Sequence, residues 1–152
     1  MSLTFVGGVS AIWSAPFVYF IRSGECLYVG ETQRHPVVRW SQHLGPQGSF
    51  RLAAEGGAEI VLDGATPIAF YAFEVAPLRS LFPEVQLKAA TQAVEHEIHM
   101  LLRARPSFLG PALRVISDTE KTAPRTFRRW DIAQALAEEA AGALRAAWAN
   151  VS

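Results

Sequence analysis

Two runs of β-branched and aromatic residues, PFVYFIR at 16–22 and CLYVG at 26–30, are separated by only three residues, SGE. Runs of this kind are strands, and so short a connection containing glycine reads as the turn of a β-hairpin. The hairpin is the most tightly specified element of the chain.

The segment after the hairpin has helical spacing. ETQRH leads to Pro36, a favoured first helical residue, and VVRWSQHL places Val37, Val38, Trp40 and Leu44 at helical intervals before Gly45-Pro46 stops the run. The glycine-punctuated stretch from Gly45 to Pro67 reads as loop, with one helical turn near Phe50 to Ala54. IAFYAFEVA at 68–76 is a third strand. From Pro83 to Arg105 an apolar stripe at Leu87, Ala90, Val94, Ile98 and Leu101 holds the helical period until Pro106 ends it. A short strand is expected at Leu113 to Ile116, and the Ala-rich segment after Arg128 forms an amphipathic helix with Trp130, Ile132, Leu136, Leu144 and Trp148 as its larger apolar members.

The chain has 152 residues, half of them apolar, which suits one domain with a core of its own. We therefore expect a single domain over 1–152, with a core over 14–110 and a helical extension over 111–152. Cys26 is the single cysteine and has no intramolecular disulfide partner, which fits a reducing compartment and a cytoplasmic location. The N-terminal stretch lacks the pattern of a secretion signal, and no window resembles a membrane span. Fourteen basic residues balance fourteen acidic ones, so any site for a polyanion must be local.

The polar residues of the first half fall into a pattern. Tyr19 projects to one face of its strand with Phe17 and Ile21, and Tyr28 sits on the partner strand immediately before Val29-Gly30. Arg39 and His43 are four apart and share a helical face, placing a phosphate-binding fork beside a titratable ring. Taken singly, each is more often a structural residue than a functional one.

Taken together, VYF at 18–20, LYVG at 27–30, RWSQH at 39–43 and VEHEIH at 94–99 resemble the GIY-YIG nuclease family, as a divergent member. The resemblance covers about residues 16–110 and implies an α+β fold, a small three-stranded antiparallel sheet flanked by helices, here with an additional C-terminal helix. It implies a divalent-metal-dependent endonuclease that hydrolyses DNA phosphodiester bonds with one Mg²⁺ or Mn²⁺ per site. The metal-binding carboxylate would lie on the long helix, where Glu95 is preferred and Glu97 is the alternative. The two are roughly 200° apart around the axis, so only one can face the site. Arg39 would bind the scissile phosphate, Tyr19 and Tyr28 would position the attacking water, and His43 is a second candidate for the proton acceptor. At its ordinary pKa His43 is a better base than either tyrosine at neutral pH. A zinc site from Glu95, His96 and His99 lacks the further ligands such a centre needs.

Two positions depart from the family pattern: Phe17 stands where the first half-motif has its leading glycine, and Leu109 where many members have asparagine after the long helix. A member of the fold that binds nucleic acid or protein without cleaving is therefore the alternative. Arg22, Arg34, Arg128 and Arg129 are candidate nucleic-acid contacts, with Arg51 and Arg125 near them in sequence. The Ala-rich final helix offers a face for pairing with a second copy of the chain.

Overall fold

The computed structural model describes residues 3–5, 11, 13–58, 62, 65–111, 113–119 and 123–148. Its strands are β1 (Leu3–Phe5), β2 (Ser14–Ser23), β3 (Cys26–Arg34), β4 (Ile68–Glu74) and β5 (Arg114–Val115). Its helices are α1 (Pro36–Leu44), α2 (Ser49–Leu52, continued by a π-helical turn at Ala53–Gly57), α3 (Pro77–Leu81), α4 (Glu84–Ala104) and α5 (Trp130–Trp148).

The hairpin forms as its sequence dictates. Ser23 pairs with Cys26, and Gly24 takes a φ of 57° in the turn, a conformation that costs glycine nothing. Strand β2 is then covered on both faces: Val18 and Phe20 point one way, Tyr19 and Ile21 the other, and all four are essentially inaccessible to solvent. A strand so enclosed must be central, and β2 pairs antiparallel with β3 on one side and β4 on the other.

The expectation of a three-stranded antiparallel sheet needs correction. Those three strands are the centre of a five-stranded mixed sheet of order β1-β4-β2-β3-β5, in which β1 runs parallel to β4 and β5 parallel to β3. The added strands satisfy part of the open backbone edges of β4 and β3. Strand β5 falls within the short strand expected at Leu113 to Ile116, while β1, at three residues, is too short to show alternation in sequence. Helix α3 was likewise not expected; it is a single turn beginning at Pro77.

The sheet separates two apolar clusters. On one face Val18, Phe20, Leu27, Val29 and Tyr71 meet α4 and α5; on the other Tyr19, Ile21, Phe70 and Ala72 meet Trp40 of α1 and Phe50 of α2. Alanines make close helix approach possible in the first layer, with Ala90 and Ala93 of α4 and Ala133, Ala137 and Ala141 of α5 in one buried cluster. Leu144 is fully buried there and contributes roughly 2 kcal/mol. The apolar stripe of α5 packs on its own chain, with Leu144 buried and Trp130, Leu136 and Trp148 partly buried. At its C-terminal end Trp148 stacks on Tyr71, ring centroids 6.0 Å apart at 21°, under the Arg22 guanidinium 3.7 Å from the indole centroid. No helix among the described residues is long and apolar enough to cross a membrane.

Candidate active site

Register in the hairpin brings the two motif halves together. Tyr19 is the Cα partner of Gly30, and Ile21 that of Tyr28, so Tyr19, Tyr28 and Gly30 share one face of the sheet. Gly30 is glycine for a steric reason. A Cβ on it would lie 2.3 Å from Tyr19 Cζ and 2.4 Å from Tyr19 Oη, so the phenol ring occupies the space a side chain would need.

Helix α1 is delivered to that face by its start signals: Pro36 opens it, and the His35 side chain accepts a hydrogen bond from Val37 N–H. Trp40 anchors the helix against Phe70, with centroids 4.8 Å apart. One turn later His43, 2% exposed, reaches Tyr19, with Nε2 2.7 Å from Tyr19 Oη. The Tyr28 ring packs against the imidazole with a 4.6 Å centroid separation.

The tautomer of His43 is set by its other nitrogen. Phe50 N–H donates to His43 Nδ1 at 3.2 Å, so Nδ1 carries no proton. In the neutral ring the proton is therefore on Nε2, which donates to Tyr19 Oη. Burial, with help from the Arg39 charge, lowers the His43 pKa to about 4, so the ring is neutral at pH 7. The loop reaches this position because Gly48 lies against the His43 carbonyl, where a Cβ would come within 2.1 Å of the oxygen.

Arg39 donates to Gln42 Oε1 at 2.9 Å and is half-buried. Burial raises the Tyr19 pKa above its ordinary value, and Arg39 opposes that rise through its charge and as a hydrogen-bonding neighbour. Burial also raises that of Tyr28, where Ser49 and Arg39 oppose it. From the α4 side of the sheet the Glu95 charge adds to the upward shift of both tyrosines, and the Arg39 charge lowers the Glu95 pKa in turn.

The two glutamates of α4 separate as their spacing requires. Glu95 is 8% exposed, and burial, reinforced by the nearby Glu31 charge, pushes its pKa up to about 8 while Arg39 pulls the other way. Glu97 instead lines a cleft between α4 and α5 with Met100, Gln134 and Glu138. Glu31 alternates with Leu27 and Val29 and so lies on the α4 side of β3; burial raises its pKa too.

The α4 histidines have other partners. His99 Nδ1 donates to the Glu95 carbonyl at 3.0 Å, which leaves Nε2 to accept from Ser117 Oγ at 2.7 Å; Ser117 Oγ in turn accepts from Val29 N–H at 2.9 Å. His96 Nδ1 lies 3.1 Å from Thr119 Oγ1. These bonds tie α4 to β3 and to the segment after β5. Among the described residues no group of three or more His, Cys, Asp or Glu could hold a metal ion, which leaves the zinc arrangement without a cluster.

The candidate nucleic-acid contacts disperse. Arg22 is held at the opposite layer by Trp148, its Nε also donating to the Gly24 carbonyl. Arg51 is paired with Glu55 at 2.9 Å, and Arg129 with Asp131 at 2.9 Å. Arg125 and Arg128 are exposed ahead of α5, and Arg34 is exposed at the end of β3, on the wall of a cleft that also holds Arg39. Phe17 is buried at 1% and lies against His35, so it serves as core where the family pattern has glycine. Leu109, 7% exposed, belongs to the cluster under α4 and α5.

Sequence reasoning did not single out Glu31, Gly48, Phe50 or Ser117. For Glu31 a signal existed, since period-two alternation from Val29 places it on the α4 side; Gly48 and Phe50 act through backbone positions that no pattern reveals, and the Ser117 hydroxyl meets His99 and Val29 only on folding. Comparison of the chain with protein-family models, with curated proteins and with solved structures finds no match.

Proposed function

We propose that this chain is a divalent-metal-dependent endonuclease that hydrolyses DNA phosphodiester bonds with a GIY-YIG-like site. The observation that carries the reading is convergence: Tyr19, Tyr28 and His43 are in direct contact, and Arg39 and Glu95 act on both tyrosines, although these five come from three separate segments.

The donor set suits Mg²⁺ or Mn²⁺. Glu95 is a buried carboxylate for which no described residue provides an ion pair, and Glu31 is a second oxygen donor beside it. Hard cations of this kind are held by one or two carboxylates, the remaining positions going to water and phosphate oxygens. Bound there, the cation supplies positive charge to the phosphate in the transition state.

The remaining work belongs to the chain. Arg39 binds a non-bridging oxygen of the scissile phosphate and offsets the charge that develops as water adds to phosphorus and the ester oxygen leaves. Tyr28 and Tyr19 flank the attacking water. Burial keeps Tyr19 a neutral phenol, so its Oη, held by the His43 N–H, orients that water, whose proton leaves to solvent. His43, neutral and with both nitrogens engaged, holds Tyr19 in place.

Nicking of supercoiled plasmid in Mg²⁺ tests the reading. Glu95→Ala and Arg39→Ala should each abolish nicking while keeping the thermal transition of the parent chain; full activity in both variants would remove the site. Binding of DNA without cleavage in either Mg²⁺ or Mn²⁺ would assign the chain to the non-cleaving alternative.

A further inference from the structure

Two surface clefts flank the hairpin on the Arg39 side. One, about 450 Å³, is walled by Glu31, Arg34, Arg39 and Gln42; the other, about 460 Å³, by Ser14, Arg79, Phe82 and Glu84. They meet, because Gln33 and Lys88 line both. The two neighbouring clefts together extend from Arg39 across β3 to the start of β2, with Gln33 and Lys88 between them, and are taken as one groove.

Its walls carry four cations, Arg34, Arg39, Lys88 and Arg79, against two carboxylates, Glu31 and Glu84. In a chain of zero net charge this is a local excess. Among the described residues neither Arg34 nor Lys88 is held in an ion pair, and both are exposed. Arg79 donates to the Ser14 carbonyl and so is fixed at the far end of the groove.

Beside that end stands Trp13, the residue before Ser14 and, among the described residues, the most solvent-exposed of the large aromatic side chains at 63%. Its indole stacks on His35 at 5.9 Å and 16°, and His35 N–H donates to the Trp13 carbonyl at 2.8 Å. One ring face is thus supported by His35, and the side chain as a whole remains 63% exposed. A cationic groove that follows a backbone, with an aromatic face beside it, is the arrangement that binds unpaired nucleotides. A duplex would bring phosphates but no free base to stack.

We infer that this groove binds a single-stranded nucleic-acid segment continuous with the strand at Arg39, its phosphates on Arg34, Lys88 and Arg79 and one unstacked base on Trp13. The inference rests on the proposed nuclease reading for its direction, but not for its test.

The test is fluorescence anisotropy of labelled dT12, of a 12-base-pair duplex and of polyaspartate, in EDTA and across a salt series, with no divalent ion present. The single strand should bind more tightly than the duplex. Arg34→Ala with Lys88→Ala should weaken dT12 at least tenfold and reduce the slope of log affinity against log salt by about 1.4. Trp13→Ala should cost about tenfold on dT12 and leave the duplex unchanged. These positions are exposed, and unchanged thermal transitions will show that the variants fold. Equal affinity for strand and duplex, indifference to Trp13→Ala, or tighter binding of polyaspartate than of dT12 would each overturn the inference. Loss of nicking in Glu95→Ala with dT12 binding intact is the expected result. Failure of nicking in the parent chain with groove binding intact would remove the nuclease reading alone.

Discussion

Tyr19 lies across Gly30: the two are register partners on adjacent strands, and the phenol ring fills the volume that any side chain on Gly30 would occupy. Tyr19 is therefore positioned from below by a missing side chain and from the side by His43. Gly30→Ala must displace the ring, because the nearest atoms are the ring carbon and hydroxyl rather than a flexible chain end. We expect a loss of about 2 kcal/mol in chemical denaturation together with loss of nicking. In Tyr19→Ala the same substitution should cost clearly less; simple additivity of the two changes would show that the clash does not exist.

His43 makes stability depend on pH in a defined window. Its folded pKa of about 4 lies below the ordinary 6.5, so its contribution is complete above pH 6.5 and is lost as pH falls toward 4. The amount is about 3 kcal/mol. Glu95 works with the opposite sign, since its pKa is raised to about 8 and the folded state is disfavoured as pH rises from 4.5. The difference between parent and His43→Gln isolates the histidine: urea midpoints measured from pH 4 to 7 should converge at the acid end. A constant gap across that range would contradict the assignment.

Glu95 and Glu97 should separate cleanly. Removing a single hydrogen-bond donor to developing transition-state charge typically costs a factor of about 100 to 1,000 in rate, and Glu95→Gln, which removes a charge, should fall at or beyond that range. Glu97→Gln, which alters only the α4–α5 cleft, should nick at the parent rate. Magnesium at about 100 times its dissociation constant should stabilise the parent by about 2.7 kcal/mol in a thermal scan. The same addition should leave the Glu95→Gln transition where it was.

Trp148 tests the far layer. Trp148→Ala removes the stack on Tyr71 and the cation–π contact with Arg22, and we expect a cost of about 2 kcal/mol by calorimetry. Nicking measured well below the transition should stay at the parent rate, because neither Arg22 nor Trp148 belongs to the tyrosine site. A selective loss of activity in a fully folded variant would place Arg22 in the site after all.

Much of this architecture is legible in local pattern. The hairpin, α1, β4, α4 and α5 each have a periodicity or a punctuating Gly or Pro of their own, and all are found within a few residues of where the sequence places them. Strand β1 is not legible, because a three-residue edge is stabilised by the strand it joins rather than by its own alternation, whereas β5 lies within the short strand expected at Leu113 to Ile116. The five candidate site residues were recognisable as a set, but the tautomer of His43 was not. It depends on Phe50 N–H, seven residues away in a loop that Gly48 allows to close.

The sequence by itself determined the hairpin, the helical faces and the separation of Glu95 from Glu97, since periods of two and 3.6 follow from backbone geometry alone. Only the tertiary structure decided which arginines remain available. Arg22 is drawn under Trp148 and Arg129 onto Asp131, while Arg34 is left exposed along the groove from Arg39. It likewise decided the charge state of His43, because pKa is set by burial and by neighbours that the chain brings together only on folding.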